Sequence, residues 1–187
     1  ILSCKTPNAS STNPDRLSLC DPLSFLQWVS DPKFRFAVQV DMKGWFFQIP
    51  ISGEMGLYFA FKWGGSTYVL QRLPQGWKWA PVIAQTIAEH LLIAAEIPAS
   101  HATIWIDNLI ILAELPSQAR SYLSSFRATC SRVNAIIGDI DGEPSSTFTA
   151  LGRTVDLMSK TIALSAVWAA KALQPLSPAL SPAPTAQ

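Results

Sequence analysis

The chain has 187 residues, 49% of them apolar and only 14% charged, with a net charge of +1. That balance excludes global disorder and allows one domain with a real core, and it leaves no broad electrostatic footprint for nucleic acid. Three cysteines without Cys-x-x-Cys or Cys/His spacing argue against a disulfide framework or zinc site, and for a reduced intracellular compartment.

Residues 1–20 (ILSCKTPNASSTNPDRLSLC) are rich in Ser, Thr, Asn and Pro and read as loop. A chain opening at Ile1 rather than Met reads as a fragment or processed piece, and no signal-peptide pattern opens it. Asp21-Pro22 offers an N-cap and N1 pair for a short helix with Phe25, Leu26 and Val29 on its apolar side. FRFAVQV (34–40) alternates toward Asp41 and predicts a strand ending on that acid. GLYFAFKW (56–63) and STYVLQRL (66–73) flank Gly64-Gly65, a two-residue hairpin signal. The run 80–96 predicts a helix, with Pro81 in its first turn, Val82, Ile83, Ile87, Leu91 and Leu92 near helical spacing, and His90 on its surface. The apolar stretch 91–112 is broken by Glu96, Pro98, His101 and Asp107, so it reads as core and not as a membrane span. His101 falls in the loop before HATIWI, which pairs with LIILAE around Asp107-Asn108.

Further on, 117–134 reads as helix, with Ser117 as cap and Tyr122, Phe126 and Val133 on one side. Residues 146–165 read as paired strands with Gly152 at a bend, followed by a short helix over 166–174. QPLSPALSPAPTAQ (174–187) has the composition of a disordered tail. Strands and helices mix without βαβ alternation, which predicts an α+β domain: an antiparallel sheet with helices on one face.

Two acids stand out because each ends or interrupts an apolar strand: Asp41 and Asp107. A carboxylate there is costly unless it is hydrogen-bonded or neutralised by a cation. If the two strands are neighbours, both acids face one spot, and hard cations such as Mg²⁺ favour such oxygen ligands together with substrate phosphates. Taken singly, each also fits an ordinary turn aspartate.

VDMKGWFFQIP (40–50), LPQGWKWAP (73–81) and WIDN (105–108), in this order, resemble motifs A, B and C of reverse transcriptases, and TALGRTVDL (149–157) resembles their primer-grip motif E. The resemblance covers about residues 20–165 and is closest to enzymes of retroviruses and retrotransposons. It implies a polymerase palm with partial fingers, residues 1–20 being a fingers remnant, 21–165 the palm with partial fingers, and 166–187 a short helix and tail. It also implies template-directed addition of deoxynucleotides to a primer 3′-hydroxyl with two Mg²⁺ (or Mn²⁺), on an RNA or DNA template, as part of a retroelement polyprotein. Asp41, Asp107 and the carbonyl of Met42 match metal ligands, with Asn108 beside them in the catalytic group. Phe46 matches the steric gate against a 2′-hydroxyl. Gln75 and Gly76 match residues beside the incoming nucleotide, Lys78 could meet phosphate or be a solvated surface lysine, and Leu151 and Gly152 match the primer grip.

The pattern also departs from the family. Asn108 and Trp105 replace an Asp and a Tyr of motif C, and Gly44 and Trp45 replace the common Asp and Ala of motif A. Residues 1–20 offer only Lys5 and Arg16 for the triphosphate, and 133–147 contain no Lys or Arg for the motif D role. These departures support an alternative: a degenerate palm that no longer catalyses.

Overall fold

The computed structural model describes residues 3–14, 19, 21–140 and 143–173; the expected tail at 174–187 lies outside them. The central sheet has the order β4-β5-β1-β6, with β1 at Phe36–Met42, β4 at Ala102–Trp105, β5 at Asn108–Ala113 and β6 at Ile137–Ile140. All its pairings are antiparallel, and β1 and β5 run in register from Phe36 opposite Ala113 to Asp41 opposite Asn108.

Strand alternation gives this sheet two faces. Val38, Val40, Met42, Leu109, Ile111 and Ile104 join the core under helices α5 (Ala80–Ala94) and α6 (Pro116–Arg132). Helix α5 presents Ala80, Ala84 and Ala88, small enough for close approach, and α6 contributes Ala119, Leu123, Phe126 and Cys130. Burial pushes the Cys130 thiol up to about 11, out of the reactive range. On the opposite face, Ala37, Ile110, Leu112 and Trp105 meet Phe25 and Val29 of α2 (Pro22–Ser30). A three-stranded sheet, β7 (Thr147–Ala150), β8 (Arg153–Asp156) and β9 (Thr161–Leu164), adds Phe148, Ala150 and Val155 to this second core. The architecture is the expected α+β one, with the two long helices on one face.

The cap of α2 is as the sequence suggests: the Asp21 carboxylate accepts from the Leu23 and Ser24 amides at 2.9 and 3.1 Å, and Pro22 sits in the first turn. Other boundaries differ. A short helix α1 (Lys5–Ser10) stands where loop is expected, without a side-chain cap of its own, stabilised instead by tertiary bonds described below. Two more short helices, α3 (Trp45–Gln48) and α4 (Gly53–Leu57), are too brief to show a period, although Ser52 caps α4 by accepting from the Met55 amide. The hairpin strands shrink to β2 (Phe61–Trp63) and β3 (Ser66–Tyr68), because 56–57 belong to α4. Leu115, not Ser117, occupies the N-cap of α6, with Pro116 at its first position, and Val133 is exposed beyond its end. The strand β6 and the third strand β9 also go beyond the sequence reading, and the last helix, α7, spans Ala166–Leu173.

His101 is less bare than a loop residue. Its ring packs edge-on between Phe34 and Tyr122, each with centroids 5.3 Å away, and Nδ1 bonds Ser100 Oγ at 3.0 Å. Lys160, at the β8–β9 turn, donates to the carbonyls of Asp31 and Phe34 at 2.8 and 2.7 Å, tying the small sheet to the start of β1. Among the described residues no helix is long and apolar enough to cross a membrane.

Candidate functional site

The site begins with strand register. Asp41 is the next-to-last residue of β1 and lies opposite Asn108, the first of β5. The Met42 amide donates to the Asp107 carbonyl at 2.8 Å, so Asp41 and Asn108 form a non-hydrogen-bonded pair. In such a pair the facing side chains lie close together on one face of the sheet. The Met42 N–H points across the ladder, perpendicular to the strand, at the turn that carries Asp107. Asp41 and Asp107 are half-buried and Asn108 is exposed; its Nδ2 donates to Asp107 Oδ1 at 3.2 Å.

Only Ile106 and Asp107 separate the closing pair Trp105–Asn108. Ile106 has φ +57°, the left-handed region, and Asp107 does not. This is a two-residue hairpin of the type II′ pattern, in which glycine normally takes the first position. A β-branched side chain there is strained. The Ile106 amide donates to Gln85 Oε1 at 2.6 Å, from below the sheet. On the other flank of Asp41, β6 brings Gly138 so near that a Cβ there would stand 3.0 Å from Asp41 Oδ2.

After β1 the chain turns at Gly44, in the left-handed region at φ +56°, and enters α3. Trp45 is the buried member of the aromatic trio, its Nε1 donating to the Ala84 carbonyl at 3.0 Å. Phe46 is half-buried against the same core and Phe47 is 58% exposed.

Gln75 and Gly76 are exposed in the loop before α5, and Gly76 has φ +99°. The α1 segment lies along this loop. Asn8 Nδ2 donates to the Gly76 carbonyl at 2.9 Å, while Asn8 Oδ1 accepts from the Lys78 amide at 2.8 Å. The Lys78 ammonium donates to the Ser11 carbonyl at 2.5 Å and to Asn13 Oδ1 at 3.0 Å. Trp79 Nε1 adds a bond to the Thr12 carbonyl at 2.8 Å. In this arrangement Lys78 is neither a solvated lysine nor an open cation: it fastens the N-terminal segment.

Leu151 and Gly152 join β7 to β8, both at positive φ (+51° and +74°), the type I′ pattern. Trp168 of α7 packs on Gly152, whose carbonyl accepts from the Ser165 amide at 2.9 Å. Gln39 of β1 donates to the Thr149 carbonyl at 2.9 Å, tying this hairpin to the central sheet. Asn108 and Leu151 line one cavity of about 150 Å³ together with Gln39, Trp105 and Ile110.

The donor set of Asp41, Asp107, the Asn108 amide oxygen and the Met42 carbonyl suits a hard cation, with one negative charge fewer than three carboxylates would give. Among the described residues no three His, Cys, Asp or Glu side chains gather to hold a metal ion. Three residues here escape the sequence reading: Gln85, Asn8 and Gly138. Only Gln85 leaves a trace, as a polar residue spaced three before Ala88 and seven before Leu92 on the apolar side of α5.

A family model described as reverse transcriptase (RNA-dependent DNA polymerase) matches residues 5–139. No curated protein matches in sequence. Among solved structures, a foamy viral protease-reverse transcriptase in complex with double-stranded DNA superposes with a TM-score of 0.76 at 19% identity, over 92% of this chain and 29% of that one. The foamy viral enzyme in complex with RNA/DNA hybrid gives 0.73 at 19% identity, over 95% and 23%. The native prototype foamy virus enzyme gives 0.63 at 19%, over 83% and 20%. The chain thus spans between a fifth and a third of these matched structures, and at this identity they speak for the fold.

Proposed function

Because the chain belongs to the reverse transcriptase (RNA-dependent DNA polymerase) family, we propose that it is the palm, with partial fingers, of a retroelement polymerase that adds deoxynucleotides to a primer 3′-hydroxyl. The observation that carries this reading is the register of Asp41 opposite Asn108, beside the turn bearing Asp107. Asp41, Asp107 and the Met42 carbonyl would hold Mg²⁺ or Mn²⁺, and Asn108 keeps an oxygen donor there without charge. Bound divalent cations would activate the 3′-hydroxyl and neutralise charge on the leaving phosphates.

The chain's own residues shape the rest. The Phe46 ring would exclude a 2′-hydroxyl, and the bare backbone of Gly76 would let a base pair approach beside the Gln75 amide. The Leu151-Gly152 turn, sharing a cavity with Asn108, would place the primer end next to the carboxylates. Lys78 would have to release Ser11 and Asn13 before it could meet a phosphate. The partners in this reading are an RNA or DNA template with its primer, deoxynucleoside triphosphates, and the remainder of a polyprotein. The foamy viral structures in complex with double-stranded DNA and RNA/DNA hybrid support a nucleic-acid partner.

A second reading, a palm that folds but no longer catalyses, is favoured by Asn108 and by the engaged Lys78. Primer extension on RNA and DNA templates separates the two. Under the first reading the chain extends a primer and Asp41→Ala abolishes extension; extension by that variant at the unmutated rate would refute the metal assignment. A chain that is silent until Asn108→Asp is introduced would establish the second.

A further inference from the structure

We propose that Gln85 is a positioning residue for the turn that carries Asp107. Gln85 is 3% exposed on the sheet-facing side of α5. Both ends of its amide are engaged: Oε1 accepts from the Ile106 amide at 2.6 Å, and Nε2 donates to the Ile104 carbonyl at 2.9 Å and to Glu89 Oε1 at 2.8 Å. Donor and acceptor chemistry permits only this orientation of the side chain. The two backbone groups it grips lie two residues apart, on the last stretch of β4 and the first residue of the turn.

That first residue is the strained one. Ile106 sits at φ +57°, where a β-branched side chain persists only if its surroundings over-determine it. Asp107 follows directly, so the backbone angles of Ile106 set the direction in which the Asp107 carboxylate leaves the chain. The Met42 amide holds the Asp107 carbonyl from the β1 side. Gln85 supplies the opposite hold, and the part-buried Ile106 N–H left without it would carry a desolvation cost. The role in metal binding rests on the assignment of Asp107 as a ligand; the conformational role does not.

The test uses the full chain. In Gln85→Met, which keeps the volume and removes the amide, the Ile106 amide should exchange with solvent at least about tenfold faster, a loss of roughly 1.4 kcal/mol in local opening free energy, while the Leu109 and Ile111 amides keep their rates. Mn²⁺ affinity should fall severalfold. Adding Ile106→Gly to Gln85→Met should restore most of that affinity, because glycine adopts positive φ unaided, whereas Ile106→Ala should not. Unchanged exchange at Ile106, or equal effects of the glycine and alanine replacements, would overturn the proposal. If Gln85→Met does not fold, Gln85→Asn is read in the same way, since its amide falls one methylene short of Ile106. Unmutated chain that binds no Mn²⁺ would sink the metal reading of Asp107, and the exchange rates would still decide the role of Gln85.

Discussion

Replacing Asn108 by Asp tests the central pair most sharply, because it sets a second carboxylate directly opposite Asp41. Facing side chains in a non-hydrogen-bonded pair have Cβ atoms about 5 Å apart. Two unit charges at that distance repel by about 0.8 kcal/mol with water-like screening and ~3 kcal/mol at an effective dielectric constant of about 20. Asn108 is exposed, so the lower figure governs. Asn108→Asp should therefore lose on the order of 1 kcal/mol of stability at neutral pH and low salt, without divalent metal. Like charges favour the protonated form, so the deficit should shrink as pH falls through the carboxylate range. The same change should strengthen cation binding: an ion held with a Kd of about 1 mM adds ~1.4 kcal/mol at about 10 mM free metal. Urea unfolding at neutral and acid pH, with and without Mg²⁺, reads all three effects. A variant as stable as the parent without metal, and no more stabilised by Mg²⁺ than the parent, would refute the geometry.

Two further outcomes are expected. Burial holds the His101 imidazole below its usual pKa, with Lys33 acting in the same direction and Glu114 and Asp31 opposing. The unfolded chain therefore binds the proton first, so this stability is intact above pH ~6.5 and is lost as pH falls through the lower folded value; His101→Phe should flatten the stability profile between neutral pH and about 5, and an unchanged slope would assign the loss to other groups. Gly152→Ala would place a Cβ 2.5 Å from the Trp168 indole at φ +74°, so it should cost roughly 1–3 kcal/mol in urea unfolding, and a neutral result would mean that α7 does not rest on this turn.

What was legible in the sequence follows periodicity and caps. The pattern of Val82, Ile83, Ile87 and Leu91 announces α5, Asp21-Pro22 announces α2, and the apolar runs flanking Asp107-Asn108 announce the hairpin. The parts that escaped lack a local signal. Helix α1 exists through Asn8 and its bonds to Gly76 and Lys78, nearly seventy positions away, so its own composition still reads as loop. Helix α3 is a single turn, and β6 interleaves with β1 only through pairing at Val40 and Met42. At the site, the order of Asp41, Gln75-Gly76 and Asp107 is visible in one dimension. The strain at Ile106, the Gln85 clamp and the nearness of Gly138 to Asp41 arise from packing between elements distant in sequence.

Cation binding at the paired strands is the most direct test of the account. Mn²⁺ titrated into the full chain and followed by electron paramagnetic resonance should show a bound ion. Asp41→Ala and Asp107→Ala should each weaken that binding at least about tenfold while leaving the fold intact. Equal Mn²⁺ affinity in the parent and both variants would contradict the assignment of these carboxylates as the metal-binding centre.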